Sequence, residues 1–513
     1  MMPPGPQTVS RSSKAIHRGC LLRHSCLRRR AILVRRSFAT TAPRGELLDV
    51  ASLPNRILPQ YKENPSGLLS LQWPEPPRNV LIVPKLLAPH VTESAVAFAR
   101  HIVSEYPNLR PIFERGVAEA IHESLPFPIY TTSESSSVSE PEPNDRAIPT
   151  PTPTPASASR LLPEKTDLVV TLGGDGTILR AASLFSLHAF VPPILAFSMG
   201  TLGFLGEWKF EEYKRAWREV YMSGSSVSVT DLQSPHTQQA AAASDTTAGA
   251  VGNGNSDERL NDAWSGVRGK SMGTNRSARI MLRNRLKVGV YDASGAKVNE
   301  RMVPTSGVAT GTSSYRNGRG GAPPSAGDSP VFHAINELVI HRGPNPHLAH
   351  IDVFVNGHHL TEAVADGLLV STPTGSTAYS LSAGGSIMHP LVKALLITPI
   401  CARSLSFRPL VLPLNSRVVL RISSRNRVGE GGLGLEVSVD GKRRAADVHP
   451  GAEIRVEGEV ITPAGGGAWV GGVPCVIRSP PTSPRDRVGE EDDGWVGGLN
   501  GLLKFNYPFG EEH

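Results

Sequence analysis

The sequence predicts an α/β domain followed by a β-rich domain, and two observations carry that prediction. Unbroken apolar strands alternate with segments of helical spacing through the first half of the folded sequence. The second half offers strand after strand without a convincing long helix.

In the first half, Asn79-Val80-Leu81-Ile82-Val83 reads as a short buried strand, and Glu93 to Glu105 carries apolar residues at helical spacing. Further apolar segments lead to Ile129. Asp167-Leu168-Val169-Val170-Thr171-Leu172 is another buried strand, the pattern from Ile178 to His188 is helical, and Pro193-Ile194-Leu195-Ala196-Phe197 is a strand again. This alternation predicts a parallel, Rossmann-like sheet, whose ligands sit outside the carboxyl ends of the strands. Two glycine loops fall there, Gly173–Thr177 and Met199–Gly206.

In the second half, Arg279 to Tyr291 alternates as a strand should. Further strand candidates are Ala334–Ile340, Ile351–Val355, Val418–Ile422, Leu435–Val439 and Glu453–Val456. They predict a β-rich, β-sandwich-like domain. Folding is expected to begin near Arg78, with the α/β domain over 78–215, the β-rich domain over 216–490 and a terminal segment over 491–510. Tracts 131–160, 230–275 and 305–330 are low in complexity, bury too little apolar surface to fold alone, and read as insertions. No repeat of solenoid type is present.

Composition narrows the function classes. Only 39% of the 513 residues are hydrophobic, whereas 44 are proline and 50 are glycine, in keeping with unfolded spacer. No run of about 18 apolar residues occurs, so no membrane span is expected. The pI of about 9.3 suggests nucleic-acid binding until the charge is located. Ten of the 53 basic residues lie in 1–44 and no acid does; 43 basic against 46 acidic residues remain, a net charge of −3. That balance disfavours a nucleic-acid partner. The acid-free, Arg-rich leader, with Arg28-Arg29-Arg30 and Arg35-Arg36 around an apolar stretch, resembles a mitochondrial transit peptide, and Ser37–Thr41 reads as a processing region. A disordered basic tail is the other reading of it. Cys20 and Cys26 lie in the leader, leaving Cys401 and Cys475, too few for a disulfide framework or a zinc cluster.

In Gly173-Gly174-Asp175-Gly176-Thr177, glycines let backbone amides approach a polyphosphate, and the helix that follows points its positive end at the same anion. Asp175 either holds Mg²⁺ indirectly or orients an attacking hydroxyl. Phosphoryl transfer needs mainly positioning and charge neutralisation, so a carboxylate of ordinary pKa suffices. A tight turn with a capping aspartate would look similar. The run Asp366 to Ser380 leads a strand into a hydroxyl-rich turn; its small donors suit ribose and phosphate oxygens, and Tyr379 can pack on a flat ring.

The order of these motifs, with Asn336-Glu337, Phe204 in its Leu-Gly-Phe-Leu setting, and Thr398-Pro399-Ile400-Cys401 through Ser404–Pro409, resembles that of the NAD kinases over roughly residues 78–510. With the leader, the chain looks like a fungal-type mitochondrial member. The resemblance implies ATP and NAD⁺ or NADH as substrates, Mg²⁺ with the ATP, the adenosine ribose 2′-hydroxyl as acceptor, a homo-oligomer (dimer or tetramer) and a mitochondrial matrix location. By the same resemblance Asp175 is the catalytic carboxylate, and Gly173, Gly174, Gly176 and Thr177 form the ATP phosphate loop. Phe204, Asn336 and Glu337 contact adenosine, while Asp366, Thr377, Ala378 and Tyr379 contact the dinucleotide, partly across a subunit boundary. No protein metal ligand is assigned. Arg403 stands where many members have histidine. Asp440-Gly441-Lys442 reads as a hairpin tip near the ligand, Arg408 as either a structural ion pair or a phosphate contact, and His341 and His389 as structural. The rival readings are a lipid or sugar kinase sharing the glycine–aspartate loop and a non-catalytic NAD-binding regulator.

Overall fold

Aliphatic strands buried on both faces need helices on either side, and they form the centre of a mixed sheet. The computed structural model describes residues 45–132, 161–200, 203–206, 208–225, 277–297, 332–426, 434–464 and 467–478, with Trp495, Leu499 and Leu503. The leader, the inserted tracts (apart from Thr131 and Thr132) and most of the terminal segment lie outside these residues.

Among the described residues the first sheet has eleven strands. Its parallel part runs Leu47–Asp49, Ile129–Thr131, Arg110–Phe113, Asn79–Pro84, Leu168–Gly173, Ile194–Ser198 and Val473–Val476. Arg279–Arg283, Leu69–Gln72 and Gln60–Glu63 continue it antiparallel, and Trp208–Lys209 pairs beside Ile194–Ser198. The helices Pro89–Glu105 and Tyr213–Tyr221 bury Phe98, Ile102, Trp217 and Tyr221 in the core on one face. The helix Asp175–Ser183 buries Ile178, Ala181 and Ala182 in the core on the other.

Two six-stranded antiparallel sheets follow. One contains Leu286–Tyr291, Ala349–Val355 and Glu453–Gly458; the other contains Glu337–His341, Gly367–Ser371, Ala394–Ile400 and the hairpin Leu435–Val439/Lys442–Val448. Val288, Ile351 and Leu420 of the first share one core with Leu338, Val370 and Val437 of the second. The second half therefore holds a sandwich, as expected, while Arg279–Arg283 and Val473–Val476, from within 216–490, belong to the first sheet.

Three expectations are corrected. Ordered strands begin at Leu47, well before Arg78; they are short and separated by prolines, which hid them. Arg279–Tyr291 is two strands, Arg279–Arg283 in the first sheet and Leu286–Tyr291 in the sandwich, with the buried Arg283-Asn284-Arg285 as the crossover. Ala334–Ile340 likewise breaks, into Phe332–Ala334 and Glu337–His341, which places Asn336 between strands of different sheets.

Candidate active site

The strand Leu168–Gly173 ends at the glycine loop, and Gly174 is the N-cap of the helix that begins at Asp175. A side chain on Gly173 would collide with the hydroxyl of Thr177, whereas Gly174 and Gly176 face open space. The loop therefore presents backbone, not side chains, to solvent. Its aspartate is held from the next glycine loop: the backbone N–H groups of Phe204 and Leu205 donate to Oδ2 and Oδ1 of Asp175 at 3.0 and 3.1 Å. Gly203 lies so close to that carboxylate that a Cβ there would overlap it.

Asp175 lines a cavity of about 320 Å³ with Leu179, Phe204 and Leu205 from the first half, and Asn336, Glu337, Thr374, Thr377, Ala378, Asp440 and Gly441 from the second. The sequence-derived residues Asp175, Phe204, Asn336, Glu337, Thr377 and Ala378 thus come together. Gly173, Gly174, Gly176 and Thr177 stand beside the cavity without lining it. Leu179 was missed, although it lies four residues from Asp175 on one helix face, a spacing the sequence displays.

Asp440 organises the cavity wall supplied by the second half. It heads a two-residue Asp-Gly turn with both residues at positive φ, 47° and 73°, as the favoured hairpin turn requires. Its half-buried carboxylate accepts the N–H groups of Ile335, Asn336 and Glu337 at 2.8, 2.9 and 3.1 Å. Burial raises its pKa against the pull of those three donors. The fixed backbone brings Asn336 and Glu337 to the cavity wall, each with a buried side-chain oxygen, Oδ1 and Oε2, that has no hydrogen-bond partner. Burial, and then the neighbouring Asp440 carboxylate, push Glu337 up to about 8. At neutral pH its carboxyl is mostly protonated, able both to donate and to accept. Orphaned polar atoms of this kind cost about 1–3 kcal/mol each, which a polar ligand relieves.

Asp366 and Tyr379 do not reach this cavity. Asp366 sits at the far end of Gly367–Ser371, paired with Arg342 at 2.8 Å. Tyr379 is 40% exposed there; the partial burial of its side chain raises its pKa, and the nearby Cys401 and Asp366 raise it further. Ala378 joins the two places, since it lines the cavity and precedes Tyr379. Arg403 and Arg408 line a separate cavity of about 640 Å³ with Ser404, Ser406 and Phe407. Arg408 makes no ion pair among the described residues. His341 accepts the Gly343 N–H, and His389 accepts the Leu391 N–H and meets the Trp495 ring, both structural roles.

Residues 80–225 match the ATP-NAD kinase N-terminal domain and residues 335–458 the ATP-NAD kinase C-terminal domain. The chain is 32% identical over 469 residues to the mitochondrial NADH kinase pos5 of Schizosaccharomyces pombe, covering 90% of this chain and 85% of that protein. It is 32% identical over 455 residues to the mitochondrial NADH kinase POS5 of Saccharomyces cerevisiae, covering 86% and 84%. A crystal structure of yeast NADH kinase complexed with NADH is similar at a TM-score of 0.60 and 30% identity, covering 91% of this chain and 100% of that one. Likeness that runs through both halves and most of each relative's length places this chain in the NAD kinase family.

Proposed function

We propose that this chain transfers the γ-phosphoryl group of ATP to the adenosine ribose 2′-hydroxyl of NAD⁺ or NADH in the mitochondrial matrix, yielding ADP and NADP⁺ or NADPH. The observation that carries the reading is the shared cavity, where a carboxylate clamped by two amides faces unpartnered amide and carboxyl oxygens. At about 320 Å³ it is at the small end of ligand pockets, suited to the adenosine part of a dinucleotide. The remainder would run past Ala378 towards Tyr379 and Asp366.

In this reading Asn336 bonds the adenine edge, Glu337 the ribose hydroxyls, and Phe204 packs on the adenosine. Asp175 accepts the proton of the 2′-hydroxyl as its oxygen bonds to the γ-phosphorus; the bond from that phosphorus to the bridging oxygen breaks, and ADP leaves. The glycine-loop amides and the N-terminus of Asp175–Ser183 face the ATP phosphates. Mg²⁺ enters with ATP as part of the substrate and neutralises those phosphates. The leader is a transit peptide, and a homo-oligomer would bring a second subunit to the exposed Tyr379; light scattering on the purified protein tests that assembly.

The function is tested with purified residues 45–513 and Mg²⁺-ATP, following formation of the 2′-phosphorylated dinucleotide. Absence of product from folded protein at saturating substrate would falsify the kinase reading. Measuring kcat/KM for NAD⁺ and NADH in one preparation assigns the acceptor. The names of the two fungal relatives favour NADH.

A further inference from the structure

The crossover between the first sheet and the sandwich buries two arginines with opposite fates. Arg285 is paired: its Nε and Nη2 donate to the Glu459 carboxylate at 2.7 and 2.6 Å, Nη2 donates also to the His188 carbonyl and Nη1 to the Phe185 carbonyl. Arg283, two residues earlier and 2% exposed, has no carboxylate within ion-pair distance among the described residues. Its Nε is unpartnered, and its two long hydrogen bonds go to Thr374 Oγ1 at 3.4 Å and the Phe204 carbonyl at 3.5 Å. A buried charge without a counter-charge is costly, and a chain selected for stability alone would fill this space with an apolar side chain.

Both acceptors belong to the wall of the cavity. The Phe204 carbonyl lies in the segment whose amides clamp Asp175, and Thr374 opens the turn that supplies Thr377 and Ala378. We infer that Arg283 is a positioning residue of the phosphoryl-transfer site. It ties the Phe204–Leu205 clamp of the first half to the Thr374 turn of the second, and so sets the Asp175 carboxylate against the acceptor hydroxyl. This inference rests on the kinase reading. Stability is sacrificed for that alignment, so activity and stability respond to Arg283 in opposite senses.

The test compares wild type, Arg283→Met and Arg283→Lys as the full folded chain, measuring Tm, kcat, KM for ATP and NADH, and NADH affinity by fluorescence titration. Arg283→Met is expected to keep or raise Tm and to lower kcat at least about tenfold. NADH affinity should stay within about threefold, and Arg283→Lys should recover part of the turnover. A lowered Tm with turnover lost only in proportion to unfolded protein overturns the proposal, as does unchanged kcat. A loss carried wholly by NADH affinity also overturns it, and makes Arg283 a ligand contact. Failure of the kinase reading is separate, because it shows as absence of turnover in the wild type itself.

Discussion

Asp175 carries the heaviest assignment, and its chemistry makes a sharp expectation. Asp175→Asn retains the shape and one acceptor for the Phe204 and Leu205 amides, yet cannot take the hydroxyl proton. It should lower kcat by about 10²–10⁴ while NADH binding, followed by titration, stays near wild type. Retained turnover would remove Asp175 from its role. Glu337 offers a different readout. Its folded pKa of about 8 exceeds the ordinary 4.5, so its contribution to stability is full below about 4.5 and is lost as pH rises through about 8. Glu337→Gln should flatten that decline in denaturant titrations of the ligand-free protein across this window. Asp175, Asn336 and Glu337 were legible as members of ordered motifs. The partners that position them were not: the amides of Phe204 and Leu205 are backbone groups of any residue, and Arg283 reads only as one more alternating residue of a strand.

At the scale of elements, two loops meet because glycine removes side chains where they would collide. Gly203→Ala places a methyl group on the Asp175 carboxylate without requiring a left-handed backbone. Displacing a reacting group by about 1 Å costs about 100-fold, so kcat should fall by that order while far-ultraviolet circular dichroism is unchanged. A variant as active as wild type would mean that the clamp is dispensable. The buried strands at Asn79, Leu168 and Ile194 were readable because a parallel strand between helices is apolar on both faces. The break at Arg283-Asn284-Arg285 was not, since alternation persists while the chain passes from one sheet to another. The helix after the glycine loop starts at Asp175 and stops at Ser183, earlier than the apolar pattern to His188 suggests. Residues beyond it turn so that the Phe185 and His188 carbonyls can meet Arg285.

For the whole molecule, the Arg285–Glu459 pair fastens the first sheet's helix layer to the sandwich, with the Gly472 N–H and the His333 ring joining the same carboxylate. Glu459→Ala leaves a guanidinium buried and unpaired, and should cost about 3–5 kcal/mol in equilibrium unfolding. A change under about 1 kcal/mol would show that solvent reaches the pair. The division into an α/β part and a sandwich was legible from periodicity. That late strands complete the early sheet was not, because strand pairing across hundreds of residues leaves no local mark. Val473–Val476 docks on Ile194–Ser198, and Arg279–Arg283 docks on Val473–Val476 in turn. A ribosome delivering this chain releases those partners in sequence. Until residue 476 emerges, the start of Ile194–Ser198 lacks its outer partner, so the sheet that carries the glycine loop closes only at the end of the folded sequence.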